Sequence, residues 1–180
     1  MKTDSKVILV TGGARSGKSQ YAERRSGTMG GRRLYIATAE AKDQEMSERI
    51  AEHRRQRGKE WTTIEEPLEL AEALTAQRGK IDCALVDCLT LWISNLLIGR
   101  DERNAIKKVE QLLEALPGLD FSIVFVTNEV GWGIVPDNRL ARKFRDLIGW
   151  TNQRIAQAAD EVILMVAGIP TTVKKAPLCS

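Results

Sequence analysis

Eight residues constrain this chain more than any others. Gly12-Gly13-Ala14-Arg15-Ser16-Gly17-Lys18-Ser19 satisfies G-x-x-x-x-G-K-[ST] at every fixed position. The apolar run Val7–Val10 leads in as a buried strand, and the amphipathic segment Lys18–Arg25 leads out as a helix. Each fixed residue has a physical task. Gly12 and Gly17 let the backbone turn and approach an anion without a Cβ in the way. The turn aims successive N–H groups inward, and the opening helix adds its positive end. Lys18 is placed to reach β- and γ-phosphates, and the Ser19 hydroxyl is a hard oxygen suited to Mg²⁺. The octet therefore predicts a loop that holds the phosphates of ATP or GTP through Gly12, Gly13, Ala14, Arg15, Ser16, Gly17, Lys18 and Ser19.

The remainder of the chain continues the strand–helix alternation. Leu34–Ala37, Trp61–Ile64, Cys83–Val86, Ile123–Thr127 and Val162–Val166 read as strands. Gln44–Arg57, Leu68–Arg78, Leu91–Ile98, Ala105–Leu116 and Asn138–Ala159 read as helices. Continuous apolar strands between helices predict an α/β fold: a mostly parallel sheet covered on both faces, with ligands beyond the strand C-termini. At 180 residues the length prior gives one domain spanning 1–180. A net charge of +3 is too small to argue for a nucleic-acid or membrane partner. No run has transmembrane length, and Val7–Val10 is too short for a secretion signal. Cys83, Cys88 and Cys179 have no metal-ligand spacing and fit a reducing compartment, so a cytoplasmic location is expected.

Three further features carry chemistry. Cys83-Ala84-Leu85-Val86 ends in Asp87, a strand-tip carboxylate that would hold Mg²⁺ beside the loop or else cap the next helix. His53, the sole histidine, falls in helical register with Met46 and Ile50 and is followed by Arg54, Arg55, Gln56, Arg57 and Lys59. It reads as a core-facing histidine or, beside cations that could grip a triphosphate, as a nucleophile toward phosphorus. The segment Glu129–Pro136, with Gly131 and Gly133, reads as an active-site loop or as an ordinary connection with Asp137 capping the helix from Asn138.

At this point the sequence resembles a known family. The phosphate loop, Tyr35-Ile36-Ala37-Thr38-Ala39, Arg49-Ile50-Ala51-Glu52-His53-Arg54 and Asp87-Cys88-Leu89-Thr90-Leu91-Trp92 carry the likeness. So does the more specific block from Val126-Thr127-Asn128-Glu129-Val130-Gly131 through Phe144-Arg145-Asp146. These residues resemble the bifunctional adenosylcobinamide kinase/adenosylcobinamide-phosphate guanylyltransferases of cobalamin biosynthesis. One departure is Trp150-Thr151, where the family pattern suggests Arg-Val before Asn152-Gln153.

The resemblance implies two reactions. The first moves a γ-phosphate from ATP or GTP to the aminopropanol hydroxyl of adenosylcobinamide. The second passes GMP from GTP through a histidine to adenosylcobinamide phosphate. His53 would be that histidine, with Arg54–Arg57 around the guanylyl group and Lys18 serving the kinase step. Thr38, Ala39 and Glu65 would contact nucleotide, and Asp87 occupies the family's acidic position. The resemblance also implies a recombinase-type sheet, with an antiparallel edge strand that the 162–174 region could supply, and a homotrimer. A simple small-molecule kinase with a structural His53, and a nucleotide switch or motor acting on a partner, are the competing readings.

Overall fold

The computed structural model describes residues 5–39, 60–99 and 101–175. His53, Arg54, Arg55, Gln56 and Arg57, the expected helix 44–57 that carries them, and Cys179 lie outside the described residues.

Seven strands form one sheet: β1 (Val7–Gly12), β2 (Arg33–Ala37), β3 (Trp61–Glu65), β4 (Cys83–Asp87), β5 (Ser122–Val126), β6 (Glu161–Val166) and β7 (Ile169–Lys175). Their order is β3-β2-β4-β5-β1-β6-β7. Every neighbouring pair is parallel except β6 with β7, so the expected antiparallel edge strand is present. The hairpin joining β6 to β7 turns through Ala167 and Gly168, with φ of 49° and 83°, a pair of left-handed residues suited to the twist of a tight hairpin.

Five α-helices are present among the described residues: α1 (Lys18–Ser26), α2 (Leu70–Thr75), α3 (Leu89–Gly99), α4 (Glu102–Ala115) and α5 (Arg139–Ala158). Strand alternation distributes them over two cores. Leu9, Leu34, Ile36, Val86 and Phe125 point to one face and pack against Leu74, Trp92, Leu96, Val109 and Ile155 of α2 to α5. Ile8, Val10, Leu85 and Val124 point to the other, where Ala22 of α1 meets them. Burial on both faces explains why the inner strands read as uninterrupted apolar runs. Trp92 is fully buried, and its indole N–H donates to the Leu68 carbonyl at 3.0 Å, so the large side chain leaves no orphan donor.

Several element ends differ from the sequence reading, and two have a local cause. Helix α2 starts at Leu70 rather than Leu68, because the Glu66 carboxylate accepts the N–H groups of Leu68 and Glu69 and holds both residues ahead of the first turn. Helix α5 is capped by Asn138 rather than Asp137: Asn138 has an extended backbone, and its side-chain oxygen accepts the Ala141 N–H at 2.7 Å.

Candidate active site

The phosphate loop leaves β1 under tight steric control. Gly12 has φ 148°, and a Cβ there would lie 2.5 Å from the Met165 carbonyl oxygen and 2.9 Å from Ser16 Oγ. Gly17 has φ 93°, and its Cβ would lie 3.3 Å from Gly168 Cα. Both fixed glycines are thus demanded by backbone conformation and by neighbours on the β6–β7 hairpin. The hairpin also touches the loop directly, since Gly168 N–H donates to the Ser16 carbonyl at 3.0 Å. Arg15 sits at φ 55°, a left-handed position two residues before the left-handed Gly17.

Lys18 opens α1 and is only 7% exposed. Its ammonium donates to the Gly13 carbonyl and, at 3.4 Å, to Ser16 Oγ. Burial lowers its pKa from the usual lysine value, while the charge of nearby Asp87 opposes that shift. The amine is therefore held across the loop by neutral acceptors, with a carboxylate close enough to be felt.

Asp87 ends β4, one strand removed from β1. Its Oδ2 accepts the Tyr35 hydroxyl proton at 2.8 Å. The carboxylate points to the α1 face, because β4 alternation puts Cys83, Leu85 and Asp87 on that side. Cys88 beside it is buried, and burial pushes its thiol up to about 11, so it is neutral.

Thr38 follows β2 and is fully buried. Its hydroxyl donates to the Cys88 carbonyl and accepts the Cys88 N–H, both at 2.8 Å, and its own carbonyl accepts Asn95 Nδ2 at 2.7 Å. These bonds tie the ends of β2 and β4 together. Ala39 comes next and is half-buried. Glu65 ends β3 in register with Ala37 and is exposed. The loop, Asp87, Thr38, Ala39 and Glu65 therefore share the C-terminal edge of the sheet. Four strand spacings separate β1 from β3, roughly 19 Å at ~4.8 Å each, so Glu65 is at the far end of that edge from the loop.

The sequence reading did not single out a polar network on the opposite side of the loop. The β1–β5 ladder runs past β5: Thr127 N–H donates to the Val10 carbonyl at 3.0 Å and Glu129 N–H to the Gly12 carbonyl at 3.1 Å. Thr11 Oγ1 donates to Glu129 Oε1 at 2.5 Å. Asn152, from α5, donates to the same oxygen at 3.4 Å and to the Asn128 carbonyl at 3.2 Å, and accepts the Thr127 hydroxyl at 2.8 Å. Thr90 accepts the Asn128 N–H at 2.8 Å. The available signal was the polar triplet Thr127-Asn128-Glu129 directly after an apolar strand, with Asn152 on an otherwise apolar helix stripe. Beyond Glu129 the chain makes one 3₁₀ turn (Val130–Trp132) and exposes Trp132 and Ile134, 71% and 97% accessible.

No helix among the described residues is long and apolar enough to cross a membrane. The described residues contain no cluster of three or more His, Cys, Asp or Glu able to hold a metal ion. Ser19 and Asp87 instead offer isolated hard oxygens, which fits Mg²⁺, an ion that takes few protein ligands and completes its shell with phosphates and water.

The family model described as cobinamide kinase / cobinamide phosphate guanyltransferase matches residues 8–173. The bifunctional adenosylcobalamin biosynthesis protein CobP of Pseudomonas aeruginosa is 48% identical over 94% of this chain and 98% of its own length. CobU of Salmonella typhimurium, with the same description, is 44% identical over 93% and 99%. Among solved structures, the flagellar accessory protein FlaH of Methanocaldococcus jannaschii superposes with a TM-score of 0.55 at 12% identity, covering 95% of this chain and 79% of that one. The RadB recombinase superposes at 0.53 and 12% identity, covering 88% and 73%. At that identity the last two likenesses speak for the fold alone.

Proposed function

Since the chain belongs to the cobinamide kinase / cobinamide phosphate guanyltransferase family, a bifunctional kinase and guanylyltransferase, we propose the following course for its two reactions. In the first, the aminopropanol hydroxyl of adenosylcobinamide attacks the γ-phosphorus of ATP or GTP. The bond from that phosphorus to the β-bridging oxygen breaks, the hydroxyl proton is lost, and nucleoside diphosphate leaves. In the second, a nitrogen of His53 attacks the α-phosphorus of GTP and pyrophosphate departs. A phosphate oxygen of adenosylcobinamide phosphate then displaces histidine from that phosphorus, giving adenosylcobinamide-GDP.

The observation that carries the phosphoryl-transfer half is Lys18, buried and held across the phosphate loop by the Gly13 carbonyl. A fixed cation and preorganised dipoles at the β- and γ-phosphates stabilise the charge that develops there. Ser19 and Asp87 would hold Mg²⁺, which when bound neutralises phosphate charge. Ala39 and Glu65 would meet the nucleotide along the strand edge, while Thr38, whose polar groups are engaged with Cys88 and Asn95, shapes that edge from beneath. For the guanylyl half, support comes from the position of His53 after Arg49-Ile50 and before Arg54, Arg55, Gln56 and Arg57. Guanidinium groups there would bind the triphosphate in bidentate fashion. The same family reading makes the protein a cytoplasmic homotrimer.

Incubation with α-labelled GTP and Mg²⁺, without corrinoid, tests the proposal. The expected result is one GMP per chain, released pyrophosphate, and an acid-labile, base-stable phosphoramidate. The imidazole must be neutral to attack, so labelling declines as pH drops below the ordinary histidine range. His53→Asn loses the label yet still phosphorylates adenosylcobinamide. Label persisting in His53→Asn places the nucleophile elsewhere, and an unlabelled wild-type protein makes this a simple kinase.

A further inference from the structure

The carboxylate of Glu129 is out of place on electrostatic grounds. It is half-buried after β5, against the start of the loop proposed to hold triphosphate, where a negative charge repels the ligand. A residue that opposes binding by its charge must have another physical effect if it is to favour binding.

Its contacts indicate that effect. Main chain and side chain of Glu129 hold two consecutive residues at the junction of β1 and the loop. The N–H takes the Gly12 carbonyl, and Oε1 takes the Thr11 hydroxyl. Gly12 is the tightest point of the loop, with no room for a Cβ. Oε1 is held in turn by Asn152, whose other bonds reach Thr127 and the Asn128 carbonyl. Asn152 is 7% exposed and lies on the buried face of the 20-residue helix α5, beside Ile148 and Ile155. Strand alternation puts Thr11, Thr127 and Glu129 on the α5 face, opposite α1 and Asp87. The loop is thus braced from the α5 side by Glu129 and from the hairpin side by Gly168.

We propose that Glu129 is a positioning residue of the phosphate loop: anchored to α5 through Asn152, it fixes Thr11 and Gly12 so that the loop N–H groups are aimed before nucleotide arrives. The inference rests on the reading that nucleotide phosphates bind this loop. It concerns binding by preorganisation and leaves the acceptor chemistry aside. An acceptor oxygen suits the task because Oε1 receives both the Thr11 hydroxyl and the Asn152 amide.

Positioning and simple repulsion predict opposite signs. Equilibrium binding of ATP and of GTP is measured for wild type, Glu129→Ala, Glu129→Gln, Thr11→Val and the double variant Thr11→Val/Glu129→Ala, with thermal unfolding alongside. Glu129→Ala weakens nucleotide binding about tenfold, the scale of one lost side-chain hydrogen bond. Glu129→Gln retains an acceptor oxygen for Thr11 and sheds the repulsive charge, so it binds as tightly as wild type or tighter. Thr11→Val keeps the volume, loses the hydroxyl and matches Glu129→Ala; the double variant is no weaker than the weaker single one, as expected of one shared contact. In the kinase assay Glu129→Ala raises the KM for nucleotide while kcat at saturation is retained.

Binding by Glu129→Ala equal to or tighter than wild type overturns the proposal. So do a Glu129→Gln variant as weak as Glu129→Ala and additive single effects. A fall in kcat at unchanged affinity overturns it too, since Glu129 would then act on the incoming hydroxyl. If Glu129→Ala does not fold, Glu129→Gln and Thr11→Val decide. A wild-type protein that binds neither nucleotide would instead defeat the underlying site assignment, a different and distinguishable result.

Discussion

The two ends of the sheet handle charge in opposite ways. At the N-terminal end of the strands, charges are paired with one another: Lys6 and Arg25 with Glu161, Arg32 with Asp82, Arg33 with Glu60. At the C-terminal end, Lys18 is held by a carbonyl and a hydroxyl, Asp87 by a tyrosine, and Glu129 by a threonine and an amide. The charged groups named at both ends have partners. The difference is that Lys18, Asp87 and Glu129 have neutral hydrogen-bond partners and no ion pair among the described residues, so their charges remain available to a ligand. Neutral hydrogen bonds fix geometry without cancelling charge, and that is what a phosphate site requires. The paired end is structural, and its half-exposed ion pairs contribute little.

The contrast predicts where substitutions will act. The largest effect belongs to Lys18→Ala, which should reduce kinase turnover about 10³-fold, the scale of removing a preorganised transition-state contact. Folding should survive. Burial lowers the Lys18 pKa, so its charged form destabilises the native state at neutral pH. That penalty is full below the lowered folded value and disappears as pH rises past 10.5, the ordinary lysine value. Thermal unfolding of Lys18→Ala at pH 7 is therefore expected at or above the wild-type midpoint. A variant that loses activity and stability together would make Lys18 a structural residue and erase the contrast.

Asp87→Asn comes next. It should raise the Mg²⁺ concentration for half-maximal kinase activity by about tenfold or more, as loss of a metal-orienting group does. Nucleotide binding in the absence of metal should hold, because the loop N–H groups do not depend on the carboxylate. An unchanged Mg²⁺ titration would reduce Asp87 to a partner of Tyr35.

The smallest effect is expected at the paired end. Asp82→Asn should leave kinase activity near wild type and lower neutral-pH stability only slightly, because the pair with Arg32 is partly exposed. Its consequence appears in acid. Arg32 holds the Asp82 carboxyl down at about 2, against 3.8 for an ordinary aspartate. A depressed carboxylate stabilises above its unfolded pKa, and that contribution is lost as pH falls from 3.8 toward 2. Acid unfolding of the wild type should therefore lose its advantage over Asp82→Asn within that window. Loss of kinase activity in Asp82→Asn at pH 7 would show that the two ends are coupled.

Much of this was legible along the chain. The phosphate loop could be read because its chemistry is local: consecutive residues supply the turn, the amides, the cation and the hydroxyl. The inner strands could be read because burial on both faces writes an apolar run into the sequence, whereas β7, exposed along its whole length, carries no such run. Asp87 was legible as an acid at a strand tip. The network of Thr11, Glu129 and Asn152 was not, since its members come from three elements up to 141 positions apart (Thr11 to Asn152), and a threonine or asparagine looks the same in sequence whether it faces water or a buried carboxylate. Thr38 illustrates the same limit: the likeness to known relatives marked it as a nucleotide contact, and only the packing of β2 against β4 commits its hydroxyl to Cys88. Sequence by itself determined the contiguous residues proposed to bind phosphate, because that motif resides in local backbone and side-chain chemistry. Only the tertiary structure decided how the loop is held in place, because its braces at Glu129 and Gly168 are contacts between segments distant in the chain, formed when strand order and helix packing bring them within hydrogen-bond reach.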